Sequence, residues 1–394
     1  MRSFHKGALI TGIGIVSSLG IGKKIFWSNF KKGKSGISQK ICFKNSLPKS
    51  KKAGWINKIN FDYYLKKQNS RYLSRSVKLL LTAVSLALKD AKIKNNQKLD
   101  MGIILGEAVG TLSTQFRLTH VNQTEGPNFV SPIEFANALN NSMASQVAIK
   151  NGIKGFNLTI SSGFSSGLDA LGYAAMMLNN KRIKKAIVGA SEALSKELWE
   201  GFNALGLLKK SRQAKNKSKN SISALNSQSG GICLGEGAAI LVLENQADYN
   251  KGRNNALAQI IGWGNAFGGG AQAMKRAMIL AIQDAEVKAE DVDCCFMGSN
   301  KDTKQELHET RAIKDVFLSN KKLMVRSIKS LTGECYSASG PMQCAAGALA
   351  IANNFVPPLL NKQQNRKSQV INTVLINSCG CDGNNSTIIL RRVK

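Results

Sequence analysis

The chain has 394 residues, 43% of them hydrophobic, with 36 glycines and only 6 prolines, which excludes a disordered or collagen-like protein and supplies more apolar surface than one small core would use. No run of eighteen apolar residues occurs, and MRSFHKG leaves no room for a signal peptide before the first strand pattern, so a soluble cytoplasmic protein with no membrane contact is expected. A net charge of +31 calls for acidic partners, but the basic residues are scattered, without a nucleic-acid module or interleaved aromatics, so nucleic acid is not expected.

Along the chain, apolar runs closed by glycines alternate with helix-spaced segments, the pattern of an α/β fold. Strands are predicted at Ala8 to Ile15, Met101 to Leu105, Phe156 to Ile160, Lys185 to Val188 and Ala238 to Glu244. Five more follow at Ala256 to Trp263, Val292 to Met297, Lys322 to Arg326, Val374 to Asn377 and Ser386 to Arg391. The best-patterned helix is Ser76 to Ala91, where Val77, Leu80, Leu81, Val84 and Leu88 recur on one face. The densest basic run, Lys209, Lys210, Arg212, Lys215, Lys217 and Lys219, lies in a Ser/Asn-rich stretch and reads either as a solvated loop or as a docking element. The 8 cysteines include no CxxC pair and read as reduced thiols; with 3 histidines, none near a cysteine at ligand spacing, no metal and no cofactor are expected.

The second part of the chain echoes the first in order. ALITGIGIVSSLG from Ala8 returns as AQIIGWGNAFGG from Ala258, and MGIILGEAVGT from Met101 as CCFMGSNKDT from Cys294. SSGFSSGLDALGYAAMML from Ser161 is echoed by TGECYSASGPMQCAAGALA from Thr332, and AIVGASEA from Ala186 by VLINSCGC from Val374. Two similar α/β halves, 1–250 and 251–394, follow, with a site expected where loops at equivalent strand ends converge.

Six collinear motifs carry a resemblance over nearly the whole chain: ITGIGIVSSLG from Ile10, FWSNFKKGKSGI from Phe26, SSGLDALGYA from Ser165, LGEGAAILVLE from Leu234, ETRAIKDVF from Glu309 and KSLTG from Lys329. The chain resembles the β-ketoacyl-acyl-carrier-protein synthases of the thiolase fold. That resemblance implies duplicated βαβαβαββ halves in a five-layered α-β-α-β-α core, the first half carrying ketosynthase-type insertions. It also implies a catalytic set: a cysteine at a helix start, two histidines, a lysine and a gating loop with two phenylalanines.

This sequence departs from that set. Phe164 stands at the cysteine position, and a benzyl group can neither attack a thioester nor carry an acyl chain. Counting back from Glu309 puts Gly298 at the first histidine position, and Glu334 replaces the second, where its charge would repel a malonyl carboxylate. His5, His120 and His308 lie outside these motifs. Lys329 is retained, but the acidic partner expected fourteen residues on is Gln343, so Lys329 is expected to pair with Glu334 instead. The gate reads Ser378-Cys379-Gly380-Cys381-Asp382-Gly383-Asn384-Asn385, altered at Cys379 and Cys381.

Glycine turns and core pattern remain intact around this dismantled set, which argues against random decay. Among relatives of this type, the resemblance points to the chain-length factor, the inactive partner of an active ketosynthase in type II polyketide systems. It implies a heterodimer, no activity alone, an acidic acyl carrier protein as partner, and an aromatic or polyene polyketide intermediate in a tunnel at the interface. Many chain-length factors carry glutamine at the cysteine position; Phe164 here is expected to fill the vacated pocket. By the same resemblance Leu112, Gln115 and Thr119, at three- to four-residue spacing, are candidates for limiting chain length, with Phe116 beside them; ordinary interface packing is the alternative. Two other functions stay open, an enzyme with repurposed chemistry at Glu334 and Cys335, and a non-catalytic acyl-binding scaffold. The hydroxyls of Ser162 and Ser165 are expected to cap the helix start rather than react.

Overall fold

A computed structural model describes residues 7–38, 52–65, 72–208, 231–249, 256–300, 303–357 and 370–393. His5, Cys42, the basic run at 209–219 and the expected junction of the halves at 250–251 lie outside the described residues.

All ten expected strands are present, several longer than their apolar cores suggested. They are β1 (Ala8–Ser17), β3 (Gly102–Gly106), β4 (Asn157–Ile160), β5 (Lys185–Glu192), β6 (Gly237–Asn245), β7 (Ala258–Phe267), β8 (Cys294–Phe296), β9 (Met324–Arg326), β10 (Thr373–Cys379) and β11 (Asn384–Arg391). A two-residue strand β2 (Gly20–Ile21), which folds back on β1, carries no apolar pattern of its own and was not expected. The helices of the first part are α1 (Lys23–Lys31), α2 (Phe61–Leu65), α3 (Arg75–Asp90), α4 (Leu112–Thr124), α5 (Pro132–Asn137), α6 (Ser142–Asn151), α7 (Ser166–Asn179) and α8 (Lys196–Ala204). Those of the second are α9 (Gly270–Asp284), α10 (Thr303–Val316), α11 (Lys329–Thr332) and α12 (Ser339–Asn353).

The sheet order is β4-β3-β5-β6-β1-β7-β11-β10-β8-β9, with β2 beside β1. Reading inward from either end gives the same sequence of equivalents, and the echoed segments fall on β1 and β7, β3 and β8, β5 and β10, and α7 and α12. Among the described strands, the two five-stranded runs join where Ala8–Ile10 of β1 pairs antiparallel with Ala258–Ile260 of β7. Helices α7 and α12 pack between the runs, α3 covers one outer face and α9 with α10 the other, giving the five layers implied by the resemblance.

Buried on both faces, β1 reads as a continuous apolar run rather than an alternating one. Its Gly14 lets α3 come close, since a Cβ there would lie 1.9 Å from the Ala83 carbonyl oxygen; Gly264 of β7 does the same for α9, where a Cβ would lie 2.2 Å from the Ala277 oxygen. The repeated GxG is therefore a packing signal in both halves. Helix α3 starts one residue before the predicted Ser76, with Ser74 accepting from the Val77 amide, and ends at Asp90, which accepts from the Ile13 amide and from Lys23 Nζ.

Candidate functional site

Two helix starts meet at the centre of the molecule. Before α7 the turn Gly163–Ser165 is closed by the Ser162 amide donating to Ser166 Oγ at 2.9 Å; before α12 the turn Tyr336–Ala338 is closed by the Cys335 amide donating to Ser339 Oγ at 3.0 Å. Both turns place their first residue in the left-handed region, Gly163 at φ 76° and Tyr336 at φ 48°. That conformation is free for glycine and strained for tyrosine.

The hydroxyls of Ser162 and Ser165 do not cap the helix start as expected: each donates to another element, and the hydroxyl that accepts an amide at this turn is that of Ser166. Ser166 donates to the Glu107 and Gly163 carbonyls, Ser165 to the Asn384 carbonyl at 3.1 Å, and Ser162 to the Asp169 carboxylate at 2.5 Å. Phe164 lies half-buried over Tyr336, ring centroids 5.1 Å apart and edge to face, with Phe202 of α8 at 6.5 Å. Tyr336 is fully buried and Phe164 lies outside it, half-buried, so two rings in contact rather than Phe164 alone occupy the space at the helix start. Nothing in the apolar patterning singled out Tyr336. Aligning Ser166-Gly167 with Ser339-Gly340 would have found it, because that register sets Tyr336 against Gly163.

Behind Tyr336 lies an ion pair. Lys329 Nζ donates to Glu334 Oε2 at 2.8 Å and to the Gly298 carbonyl at 2.5 Å, with both side chains at most 2% exposed. The remaining acceptor sites of Glu334 are also taken: Asn300 donates to Oε2, and the Tyr336 amide and Ser339 hydroxyl each donate to Oε1 at 2.8 Å. A buried carboxylate with a cation and three further donors is fully paired, and it has no lone pair directed at a substrate proton. Gln343 turns away and donates to the Met297 carbonyl at 2.6 Å.

Gly298 has no room for a side chain, because a Cβ there would lie 2.7 Å from the Cys379 nitrogen and 2.9 Å from the Asn377 oxygen. Its amide and that of Ser299 donate to Glu309, which also accepts from Asn377 Nδ2. The backbone of β10 and its end is closed over Gly298. Cys335 is fully buried, and burial, with Glu334 next, pushes its thiol well up from the ordinary range. A thiol held neutral beside a saturated carboxylate is poorly disposed to act as a nucleophile. Cys379 ends β10 in the core, its thiol likewise raised chiefly by burial, whereas Cys381 is exposed in the following turn.

Carboxylates of a second kind sit beside the turns. Glu192, at the end of β5, accepts from Ser337 Oγ and from the Ala108 amide at 2.9 Å; burial, and then the charge of Glu107, push its pKa up to about 8. Burial also raises Glu107. The Ala108 and Val109 amides that Glu192 holds lead into α4. On that helix the inward side is Thr114 and Leu118, and the candidates are placed unequally. Leu112 packs partly buried against the apolar cluster of Trp199, Phe202 and Tyr336, whereas Gln115, Phe116 and Thr119 are exposed. Gln115 Nε2 donates to the Ala138 carbonyl at 2.9 Å. His120 lies exposed on the same helix and His308 lies on α10. Among the described residues no cluster of three or more His, Cys, Asp or Glu could hold a metal ion, and no helix is long and apolar enough to cross a membrane.

Two similar halves around two buried helices, with paired helix starts at the centre, define the thiolase-type fold of acyl-condensing enzymes. Residues 7–248 match the N-terminal domain of β-ketoacyl synthases and residues 266–363 the C-terminal domain, so the chain belongs to the β-ketoacyl synthase family. It is 28% identical to the 3-oxoacyl-[acyl-carrier-protein] synthase 2 of Coxiella burnetii, covering 98% of both chains. It is also 28% identical to the actinorhodin polyketide putative beta-ketoacyl synthase 2 of Streptomyces coelicolor, again over 98% of both. Among solved structures it is similar, with TM-score 0.82 and 25% identity over 98% of this chain and 100% of the other, to a chain from a complex of a type II polyketide synthase acyl-carrier protein with its ketosynthase bound to a hexaketide.

Proposed function

We propose that this chain is the chain-length factor of a type II polyketide synthase, a catalytically inactive subunit that pairs with an active ketosynthase and shapes the tunnel for the growing chain. The observation that carries the reading is the state of the central site: rings at the nucleophile position, a saturated Lys329–Glu334 pair at the second histidine position, and closed backbone at the first, all inside a fully packed fold. No group at the site combines a nucleophile with a base, so acyl transfer would have to be supplied by the partner.

Two surface features support pairing. Among the described residues, strand β4 ends the sheet and is bonded to β3 alone, which offers an edge. In the same half, α4, α5 and the connecting turns expose Phe116, Phe129, Ile133, Phe135 and Leu139, an unusual density of large apolar side chains for a surface. An interface between related folds reuses two-fold packing, which gives a reason to keep the scaffold when the chemistry is gone. The α4 candidates Gln115, Phe116 and Thr119 are on this exposed side and would face a partner. The net charge of +31 suits an acidic carrier protein, and the similarity to proteins of polyketide systems supports a polyketide intermediate as the substrate class.

The test is co-expression with a cysteine-bearing ketosynthase from the same source. A stable one-to-one complex is expected, with no acyl-carrier-protein-dependent condensation by the isolated chain. Turnover by the isolated chain that disappears in Glu334→Gln would overturn the reading in favour of repurposed chemistry, and a homodimer that ignores the ketosynthase and binds acyl chains would favour a scaffold.

A further inference from the structure

The turn that closes β10 onto β11 reaches across to the start of α7. Asn384 Nδ2 donates to the Ser162 carbonyl at 2.7 Å and Ser165 Oγ to the Asn384 carbonyl at 3.1 Å, which fixes the two turns against each other. Between them lies the Asp382 side chain. Its Oδ2 accepts from the Phe164 amide at 3.1 Å and its Oδ1 from the Asn384 amide at 3.1 Å. The carboxylate is cradled by two glycines: a Cβ on Gly163 would lie 1.5 Å from Oδ2, and a Cβ on Gly380 would lie 1.9 Å from Oδ1.

We infer that Asp382 is a built-in anion occupying the amide at the start of α7, a second block on acyl transfer that acts independently of Phe164. A free amide at a helix start is where developing negative charge on an acyl carbonyl would be stabilised, and the helix dipole adds to its pull on anions. Here that amide is already donating to a carboxylate of the same chain. The carboxylate would also oppose ionisation of any thiol placed at position 164, because a neighbouring negative charge disfavours a thiolate. Restoring cysteine alone would therefore give a hindered thiol with no amide free to receive the carbonyl. The ordinary alternative is that Asp382 does no more than shape its own turn through the Asn384 amide. The reach to Phe164 and the close fit at Gly163 are what that alternative leaves unexplained. The inference concerns this turn alone and stands or falls separately from the pairing proposed above.

The experiment compares Phe164→Cys with Phe164→Cys/Asp382→Asn and Phe164→Cys/Asp382→Gly, following alkylation of residue 164 by iodoacetamide against pH, peptide by peptide in the mass spectrometer. The other ionisable groups around the turn are Cys381, Tyr336, Asp169, Glu107 and Glu192, with the Lys329–Glu334 pair behind Tyr336, and all are common to the three variants. The apparent pKa of the thiol is expected to fall by about one unit or more when Asp382 is neutralised or removed, the range for losing a close like charge. Equal values in all three variants would overturn the inference. Should the cysteine variants fail to fold, amide exchange in the otherwise native chain decides: the Phe164 amide is expected to exchange at least about tenfold faster in Asp382→Gly, a factor equal to about 1.4 kcal/mol of lost protection. An unchanged rate would overturn it.

Discussion

At the start of α7 and at the start of α12 the chain makes the same turn, closed by a serine hydroxyl four residues on, yet the two have opposite fates. The first keeps glycine at the left-handed position, leaves Phe164 partly exposed and holds its amide to a carboxylate from another loop. The second forces Tyr336 into the left-handed region and is sealed, with Glu334 and Cys335 wholly buried beside it. One turn borders the surface and the other is core. A duplicated scaffold thus preserves the geometry of a reactive turn in both copies, and burial and side-chain identity decide which of them chemistry can reach.

The largest effect is expected at the sealed turn. Glu334→Leu leaves Lys329 buried without a counter-charge and three other donors without an acceptor, and should lower stability by about 3–5 kcal/mol in urea unfolding. Lys329→Met/Glu334→Leu, which removes both charges, should be less destabilised than Glu334→Leu. A loss under about 1 kcal/mol in the single variant would show that the second turn is not held by this pair.

Next comes pH. Glu192 titrates near 8 when folded and near the ordinary 4.5 when unfolded, chiefly because burial disfavours its charge. Between those values the folded chain keeps a proton that the unfolded chain has released. The contribution is therefore fully present below about pH 4.5 and is lost as pH rises through about 8, at up to about 1.4 kcal/mol per pH unit. Glu107, also raised, acts in the same direction. Stability measured from pH 5 to 8.5 should fall, and Glu192→Gln should flatten the slope. A profile of unchanged steepness would mean that Glu192 is ionised at neutral pH.

Smaller effects follow. The Tyr336 hydroxyl is buried with no hydrogen-bond partner among the described residues, so Tyr336→Phe should be neutral or stabilising by about 1 kcal/mol. Thr119→Trp, on the exposed side of α4, should change stability by less than about 0.5 kcal/mol and shorten the product made with a partner ketosynthase. Unchanged product length would remove Thr119 from the tunnel.

Much of this was legible in the sequence because periodicity reports burial. All ten strand cores and helix α3 fall where apolar runs and three- to four-residue spacing put them, and the echoed segments identify equivalent elements. The Lys329–Glu334 pair could be anticipated because the two residues are five apart across one tight turn. Asp382 and Asn300 could not, because each reaches its partner through the convergence of loops that no local pattern encodes. For Asp382 the only local signal is an aspartate inside the glycine-rich turn Gly380–Gly383. The exposed placing of Gln115 and Thr119 was likewise beyond helix spacing, which fixes which residues share a face but not what that face meets.

The most direct test of the account is product formation by the reconstituted pair when one subunit at a time is altered at its helix-start position. Replacing the partner ketosynthase's nucleophilic cysteine with alanine should abolish polyketide formation, whereas Phe164→Ala in this chain should leave it in place. Product formation that survives loss of the partner's cysteine but is abolished by Glu334→Gln would contradict the account and place the chemistry in this chain.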